Sequence, residues 1–313
     1  MRCVSKLMLT LAACVLCAGP AAAQDSGTLK KIKDSGTITF GVRDGASPFS
    51  FLDDKRQNVG YSIDLCLKIV DAVKAQLKLP DLKVNMVPVT SESRIPNLLK
   101  GAIDLECGST TNSLERQKQV AFVVTTFFTG TKLLVKTSSG IKSYKDLRGK
   151  SVAVTPATTN EQAIKEMNAQ DRLGMSFIQS RNYVDAFQAV ESNRAVAFPM
   201  DDVLLYAIRA NAKNPADYAV VGDFLTDDPY AIMLRKDDPA FKKLADNAII
   251  AVFRSGEINK IYAKWFQSPI PPKGTNLNMP MSDTLKGYIR NPNDNGVDKC
   301  GRMKCMMWLP MGV

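Results

Sequence analysis

The sequence predicts an α/β protein of two lobes, and three observations carry that expectation. At 313 residues the chain is too long for one small domain and short for three. Short apolar runs alternate with stretches of helical spacing, the pattern of mostly parallel sheets flanked by helices. Each half also carries a run of hydroxyl side chains between a strand and a helix, at residues 109–111 and 158–159. Two such loops, one in each half, suggest a clamp.

Arg2 and Lys6 precede an apolar run over residues 7–18 and then Ala21-Ala22-Ala23, the layout of a secretory signal peptide cut after Ala23. The mature chain is therefore expected in the periplasm. Leu11-Ala12-Ala13-Cys14 resembles a lipoprotein cleavage box, but the apolar run continues past Cys14, so lipidation is the minority reading. No later stretch offers about 20 uninterrupted apolar residues.

The formal charge is +10, and loss of Arg2 and Lys6 leaves 39 basic against 31 acidic residues, a net +8. The basic residues are scattered among acidic ones, as in Arg235-Lys236-Asp237-Asp238, so nucleic acid is not an expected partner. A weak attraction for small anions remains. Of seven cysteines, Cys66, Cys107, Cys300 and Cys305 outlast the signal peptide, and four thiols allow three pairings. Cys66 falls on the apolar face of a helix pattern and reads as a core residue rather than half of a bridge. With no histidine in the chain a Cys/His metal centre is excluded, and no cofactor is expected.

Taken in order, Thr37-Ile38-Thr39-Phe40-Gly41-Val42-Arg43 alternates as a strand and leaves Arg43 at its C-terminal edge, where open α/β sheets bind ligands. Cys66, Ile69, Val70, Val73 and Leu77 are spaced to bury one face of a helix that Pro80 stops. A strand over 84–89 leads through Ser91 to Arg94 and a short helix marked by Pro96 and Gly101.

Asp104-Leu105-Glu106-Cys107-Gly108-Ser109-Thr110-Thr111-Asn112 reads as a strand, a hydroxyl run and a helix start, with Asn112 as N-cap and Glu115 three residues on. Free N–H groups there would seat an anion, and the planar fork of Arg116 could take a carboxylate beside Ser109 and Thr111. An ordinary capped surface helix fits the same stretch equally well.

The run over 122–135, broken by Gly130, is longer than a typical strand and could cross between lobes. Residues 151–155 form a strand, and Thr159 with Gln162 makes a second capping pattern at a helix opening on Asn160. Tyr183 opens a helical stretch. The buried run over 195–200 ends in Asp201-Asp202, of which one is expected to cap the next helix and the other is free for a cation. Residues 230–234 return as a strand, and 241–266 are helical with a break at Gly256.

The phrases Gly60-Tyr-Ser-Ile-Asp-Leu65, Asp146-Leu-Arg-Gly-Lys150 and Ser255-Gly-Glu-Ile-Asn-Lys-Ile-Tyr-Ala-Lys-Trp-Phe266 resemble those of extracytoplasmic solute-binding proteins for polar amino acids, family 3. Thr90-Ser-Glu-Ser-Arg-Ile-Pro96, Glu106-Cys-Gly-Ser-Thr-Thr-Asn112, Glu115-Arg-Gln-Lys118 and Arg194-Ala-Val-Ala-Phe198 are most similar to its glutamate/aspartate-binding members. The likeness runs from about Leu29 to Asp294. It implies a type II periplasmic-binding-protein fold, each lobe a mixed, mostly parallel sheet flanked by helices, with two crossing hinge strands.

The resemblance further implies lobe one over 24–128 and 230–291, lobe two over 129–229, and a disordered tail over 292–313. Arg116, Thr111 and Thr159 would hold an α-carboxylate, Ser109 and Asp201 the ammonium, and Arg43, Ser91 and Arg94 a side-chain carboxylate. Tyr183 stands where the family often has histidine, and Ala157 where it often has glycine. The partners implied are L-glutamate or L-aspartate and an inner-membrane ABC permease with its ATPase, with the receptor a monomer. A dehydratase-like periplasmic enzyme on the same scaffold is the rival reading, weakened by the lack of any histidine base.

Overall fold

The computed structural model describes residues 27–298. The expected signal peptide, the lipoprotein box at Cys14, and Cys300 and Cys305 lie outside the described residues. None of the described helices is long and apolar enough to cross a membrane.

Two five-stranded sheets form the two lobes. In the first, Lys83–Pro88, Thr37–Val42, Leu105–Glu106, Met233–Arg235 and Val120–Phe122 lie side by side in that order. In the second the order is Ser176–Gln179, Ser151–Val154, Ala197–Asp201, Thr131–Lys136 and Tyr218–Val221. The first three strands of each sheet pair in parallel, and the fourth is antiparallel to both of its neighbours. Four strands of each sheet thus share a direction and one opposes them, so the expected mixed, mostly parallel architecture is what forms.

Each opposing strand follows directly from a crossing. Phe127–Thr129 and Asp228–Tyr230 pair antiparallel as a two-stranded ribbon between the sheets, and lead into Thr131–Lys136 and Met233–Arg235 respectively. The long run expected over 122–135 is therefore three strands, broken over 123–126 and again at Gly130. A side chain there would place its Cβ 2.3 Å from the Thr226 carbonyl of the neighbouring crossing. Beneath the ribbon, Phe127 packs edge-on to Phe49 at 4.8 Å and stacks on Phe266 at 4.9 Å, while the Tyr61 hydroxyl donates to the Thr126 carbonyl at 2.8 Å.

The amphipathic helices seat where their spacing predicts. Helix Tyr61–Leu77 buries Leu65, Cys66, Ile69, Val70 and Val73 against the first sheet's core, and Pro239–Arg254 and Glu257–Phe266 close the same side. Buried Asp104 locks the returning segment in place, accepting from Lys31 at 2.9 Å and Arg235 at 3.0 Å. Leu133, Leu147, Val152, Val154 and Ile164 form a separate core in the second lobe.

Two expectations are corrected here. Cys66 is a core residue and a half-cystine at once, bonded to Cys107. Burial and bridging were never alternatives, because a disulfide is itself apolar and packs inside. The tail is not disordered from residue 292: Asn293 accepts from Thr125 N at 2.8 Å, and Val297 both donates to Asn112 O and accepts from Leu114 N.

The capping residues shift by one. Ser113, not Asn112, caps the helix Leu114–Gln117, and Thr158, not Thr159, caps Thr159–Gln170, each accepting from the backbone three residues on. The first of these helices is a single turn whose Leu114 N is already taken by Val297, so the anion seat expected there does not form.

Candidate functional site

All nine residues singled out from the sequence lie at or just beyond the C-terminal ends of parallel strands, on connecting loops and the first turns of the helices that follow, and they meet where the two sheets face each other. Arg43 follows Thr37–Val42; Ser91 and Arg94 follow Lys83–Pro88; Ser109, Thr111 and Arg116 follow Leu105–Glu106. Across the cleft, Thr159 follows Ser151–Val154, Tyr183 follows Ser176–Gln179, and Asp201 ends Ala197–Asp201. Seven are buried; Arg116 and Thr159 are half-buried.

The lobes touch at this point. Arg116 donates from one Nη to Thr111 O at 2.8 Å and from the other to Ala157 O, across the cleft, at 3.1 Å. Arg94 reaches the same carbonyl at 3.4 Å. The Arg43 guanidinium lies over the Tyr183 ring, 4.9 Å from its centre, and the Thr111 and Thr159 hydroxyls approach to 3.3 Å. Ala157 offers its carbonyl from a left-handed backbone, φ 59°, that favours glycine.

Three guanidiniums therefore share one wall, and among the described residues none makes a direct ion pair. Arg43 Nη2 donates to Ser91 Oγ at 3.1 Å, while Arg43 Nη1 and Arg94 Nε are buried without a hydrogen-bond partner. Buried donors of this kind cost free energy unless an acceptor meets them. Burial, then the charge of Arg94, pushes the Arg116 pKa down to about 9, which leaves it cationic at neutral pH. Burial alone would raise the Tyr183 pKa, but Arg43 and Arg94 outweigh it and hold the phenol below its ordinary value.

Asp201 faces them from the second lobe. Its Oδ1 accepts from Asn160 at 2.9 Å and its Oδ2 from the Tyr230 hydroxyl, while Asp202 takes the Val203 N–H instead. Burial and the nearby Asp228 push its pKa well above the ordinary carboxylate range. A cation beside Asp201 would relieve both effects.

Four neighbours were not singled out from the sequence. Thr110 Oγ1 accepts from Arg94 Nη1 and donates to buried Glu106, 2.6 Å each, so a hydroxyl relays a carboxylate to the arginine. Asp228 Oδ1 accepts from Thr111 at 2.8 Å and Thr159 at 3.0 Å, and Tyr230 stands two residues on. A buried acid inside an apolar strand was the available signal for Glu106. Asp228 and Tyr230 sit on the returning crossing, far away in sequence, and carried none.

The chain matches the model of bacterial extracellular solute-binding proteins, family 3, over residues 38–268. It is 50% identical over 301 residues to the L-glutamate/L-aspartate-binding protein of Pseudomonas aeruginosa, covering 96% of this chain and 100% of that one. It is 46% identical over 292 residues to the glutamate/aspartate import solute-binding protein of Escherichia coli K12, covering 93% and 97%. Among solved structures, an ancestral arginine-binding protein bound to arginine superposes with a TM-score of 0.67 at 32% identity, over 74% of this chain and 98% of that one. AncCDT-1, an ancestral amino acid-binding protein and precursor of cyclohexadienyl dehydratase, gives 0.67 at 32%, over 76% and 99%. The curated relatives carry the names of binding proteins, which disfavours the enzyme reading. With its strand orders, its crossing ribbon and a family match over most of its length, this chain belongs to the bacterial extracellular solute-binding proteins, family 3.

Proposed function

We propose that this chain is the periplasmic receptor of an ABC importer and captures L-glutamate or L-aspartate between its lobes for delivery to an inner-membrane permease. The names of its relatives support the ligand class, and one observation carries it. Three guanidiniums on one wall, two of them with unmet buried donors and none in a direct ion pair, face Asp201 on the other, while the nearby Glu106 and Asp228 already accept from threonine hydroxyls. A ligand with one ammonium and two carboxylates balances that set better than a neutral amino acid, since each buried charge left unpaired costs several kcal/mol.

In this reading Arg116, Thr111 and Thr159 take the α-carboxylate, Ser109 and Asp201 the ammonium, and Arg43, Ser91 and Arg94 the distal carboxylate. Ser109 Oγ is buried on the same side as the Tyr183 hydroxyl, with which it interacts short of a well-formed hydrogen bond. Tyr183, over Arg43, adds a neutral phenol to the distal side. The receptor works as a monomer after cleavage at residue 23, with lobe one over 24–128 and 230–291 and lobe two over 129–229. Closure about the crossing ribbon is driven by a ligand that bridges both walls.

Calorimetric titration of the mature protein with the common amino acids tests this directly. L-Glutamate and L-aspartate are expected to bind and L-glutamine far more weakly. In Arg94→Ala the gap between glutamate and glutamine narrows by about 10- to 100-fold, the worth of a charge-assisted bond. An unchanged ratio would remove Arg94 from the distal carboxylate.

The same titration carries a pH signature. The raised pKa of Asp201 favours the unliganded fold below the ordinary carboxylate range, and that contribution is lost as pH rises through the raised value. An ammonium needs the ionised acid. Affinity should therefore climb by about tenfold per pH unit until Asp201 ionises, then level off. A flat profile, over a range in which the ligand's own carboxyls stay charged, would show that Asp201 is not the ammonium's partner.

A further inference from the structure

Arg116 sits on a helix of only four residues, Leu114–Gln117, too short to hold its own shape. Its support comes from the far end of the chain. After the helix Asp283–Arg290, the segment 291–298 runs along the first lobe, beyond the end of the family match at residue 268. Asn293 O accepts from Thr125 N at 2.8 Å, and Asp294 pairs with Lys242 at 3.0 Å. The Asp294 carbonyl then takes two side-chain donors, Asn112 Nδ2 and Gln117 Nε2, at 2.9 Å each.

Val297 completes the attachment. Its N–H donates to Asn112 O at 3.1 Å and its carbonyl accepts from Leu114 N at 2.9 Å, a parallel bridge that spans Ser113. Ser113 in turn caps Arg116 N. Both ends of the turn that carries the arginine are thus bonded to the segment: Leu114 at its start and Gln117 at its finish. The approach is tight at 296, where any side chain would make its neighbours give by a few tenths of an ångström. A Cβ on Gly296 would lie 3.0 Å from Gln117 Nε2, 3.1 Å from Leu114 N and 3.2 Å from Asn112 Oδ1. At its end, Val297 and Asp298 line a small cavity of about 40 Å³ together with Thr159 and Gln162 of the second lobe.

We infer that residues 291–298 form a positioning strap that fixes the Arg116 turn against the first lobe and thereby sets the receptor's affinity for its anionic ligand. This rests on the reading of Arg116 as the carboxylate's grip. The strap supplies what a single helical turn cannot supply itself, an acceptor for its first N–H and an anchor for its last side chain. Among the described residues its hydrogen bonds to the turn are to backbone atoms and to Asn112 and Gln117 rather than to Arg116's guanidinium, so they hold the arginine by placing the turn that carries it.

Two full-chain variants test it. Gly296→Val wedges the strap away from the turn, and Val297→Pro removes the N–H that binds Asn112. Each should weaken L-glutamate binding by about tenfold, the worth of the bonds that seat one turn, while the melting temperature of the unliganded protein moves little. Combined with Arg116→Lys, either change should add less than about twofold, because the strap acts through that arginine. Parental affinity in both strap variants would overturn the inference. So would a large fall in unliganded melting temperature, or a full additional loss on Arg116→Lys. Should Arg116→Lys alone bind like the parent, the role of Arg116 itself falls, and the strap's with it.

Discussion

Arg116→Ala is expected to abolish measurable binding of glutamate and aspartate. The substitution leaves a ligand carboxylate desolvated in the closed cleft with no cation, which costs on the order of 3 to 5 kcal/mol, about 10²- to 10³-fold or more in affinity. It also removes the shorter of the two bonds from the first lobe to Ala157 O, leaving that of Arg94. Arg116→Lys keeps the charge but loses the fork that reaches Thr111 O and Ala157 O together, so it should fall between the two. Calorimetry and ligand-induced melting shifts on both variants provide the check. An Arg116→Ala protein within about threefold of the parent would mean that the carboxylate is held elsewhere.

The second large effect concerns stability. Replacing Cys66 and Cys107 together by serine opens a loop closed over a sequence separation of 41 residues. Chain-entropy reasoning puts the loss at about 4 kcal/mol, which for a protein of this size lowers the melting temperature by roughly 8 to 16 °C. Binding should suffer as well, because Cys107 begins the loop that carries Ser109 and Thr111. The start of helix Tyr61–Leu77 holds the same loop by a second bond, from Ser62 Oγ to Gly108 O at 2.7 Å. A double variant that melts with the parent, under oxidising conditions for both, would show that the bridge contributes nothing to the fold.

How far these features could be read from the residues alone depends on the range of the interaction. Strand and helix alternate through local periodicity, so the two sheets and the break at Gly130 were legible. The loops that carry Arg43, Arg94, Arg116 and Asp201 were legible for the same reason, as they follow the strands. Capping was misread by one residue at Asn112 and Thr159, because neighbouring polar residues offer the same chemistry and only the backbone phase selects Ser113 and Thr158.

What depends on distant partners was hidden. Asp228 meets Thr111 across 117 residues, and the strap meets Asn112 mostly through main-chain atoms that leave no signature in the side chains. The disulfide was concealed because helical spacing marks Cys66 as apolar and buried whether or not it is bonded.

The placing of all three arginines on one wall has a consequence for the order of events. An anion that diffuses toward the protein with its jaws apart encounters all of this positive charge on a single jaw, before the other has moved. The opposite jaw brings a carbonyl at Ala157, hydroxyls and an acid, none of which attracts an anion from a distance. Encounter rate should therefore follow ionic strength through the first jaw alone. Residence time should be governed by the second, which can release its hold without giving up any of the charge that made the capture.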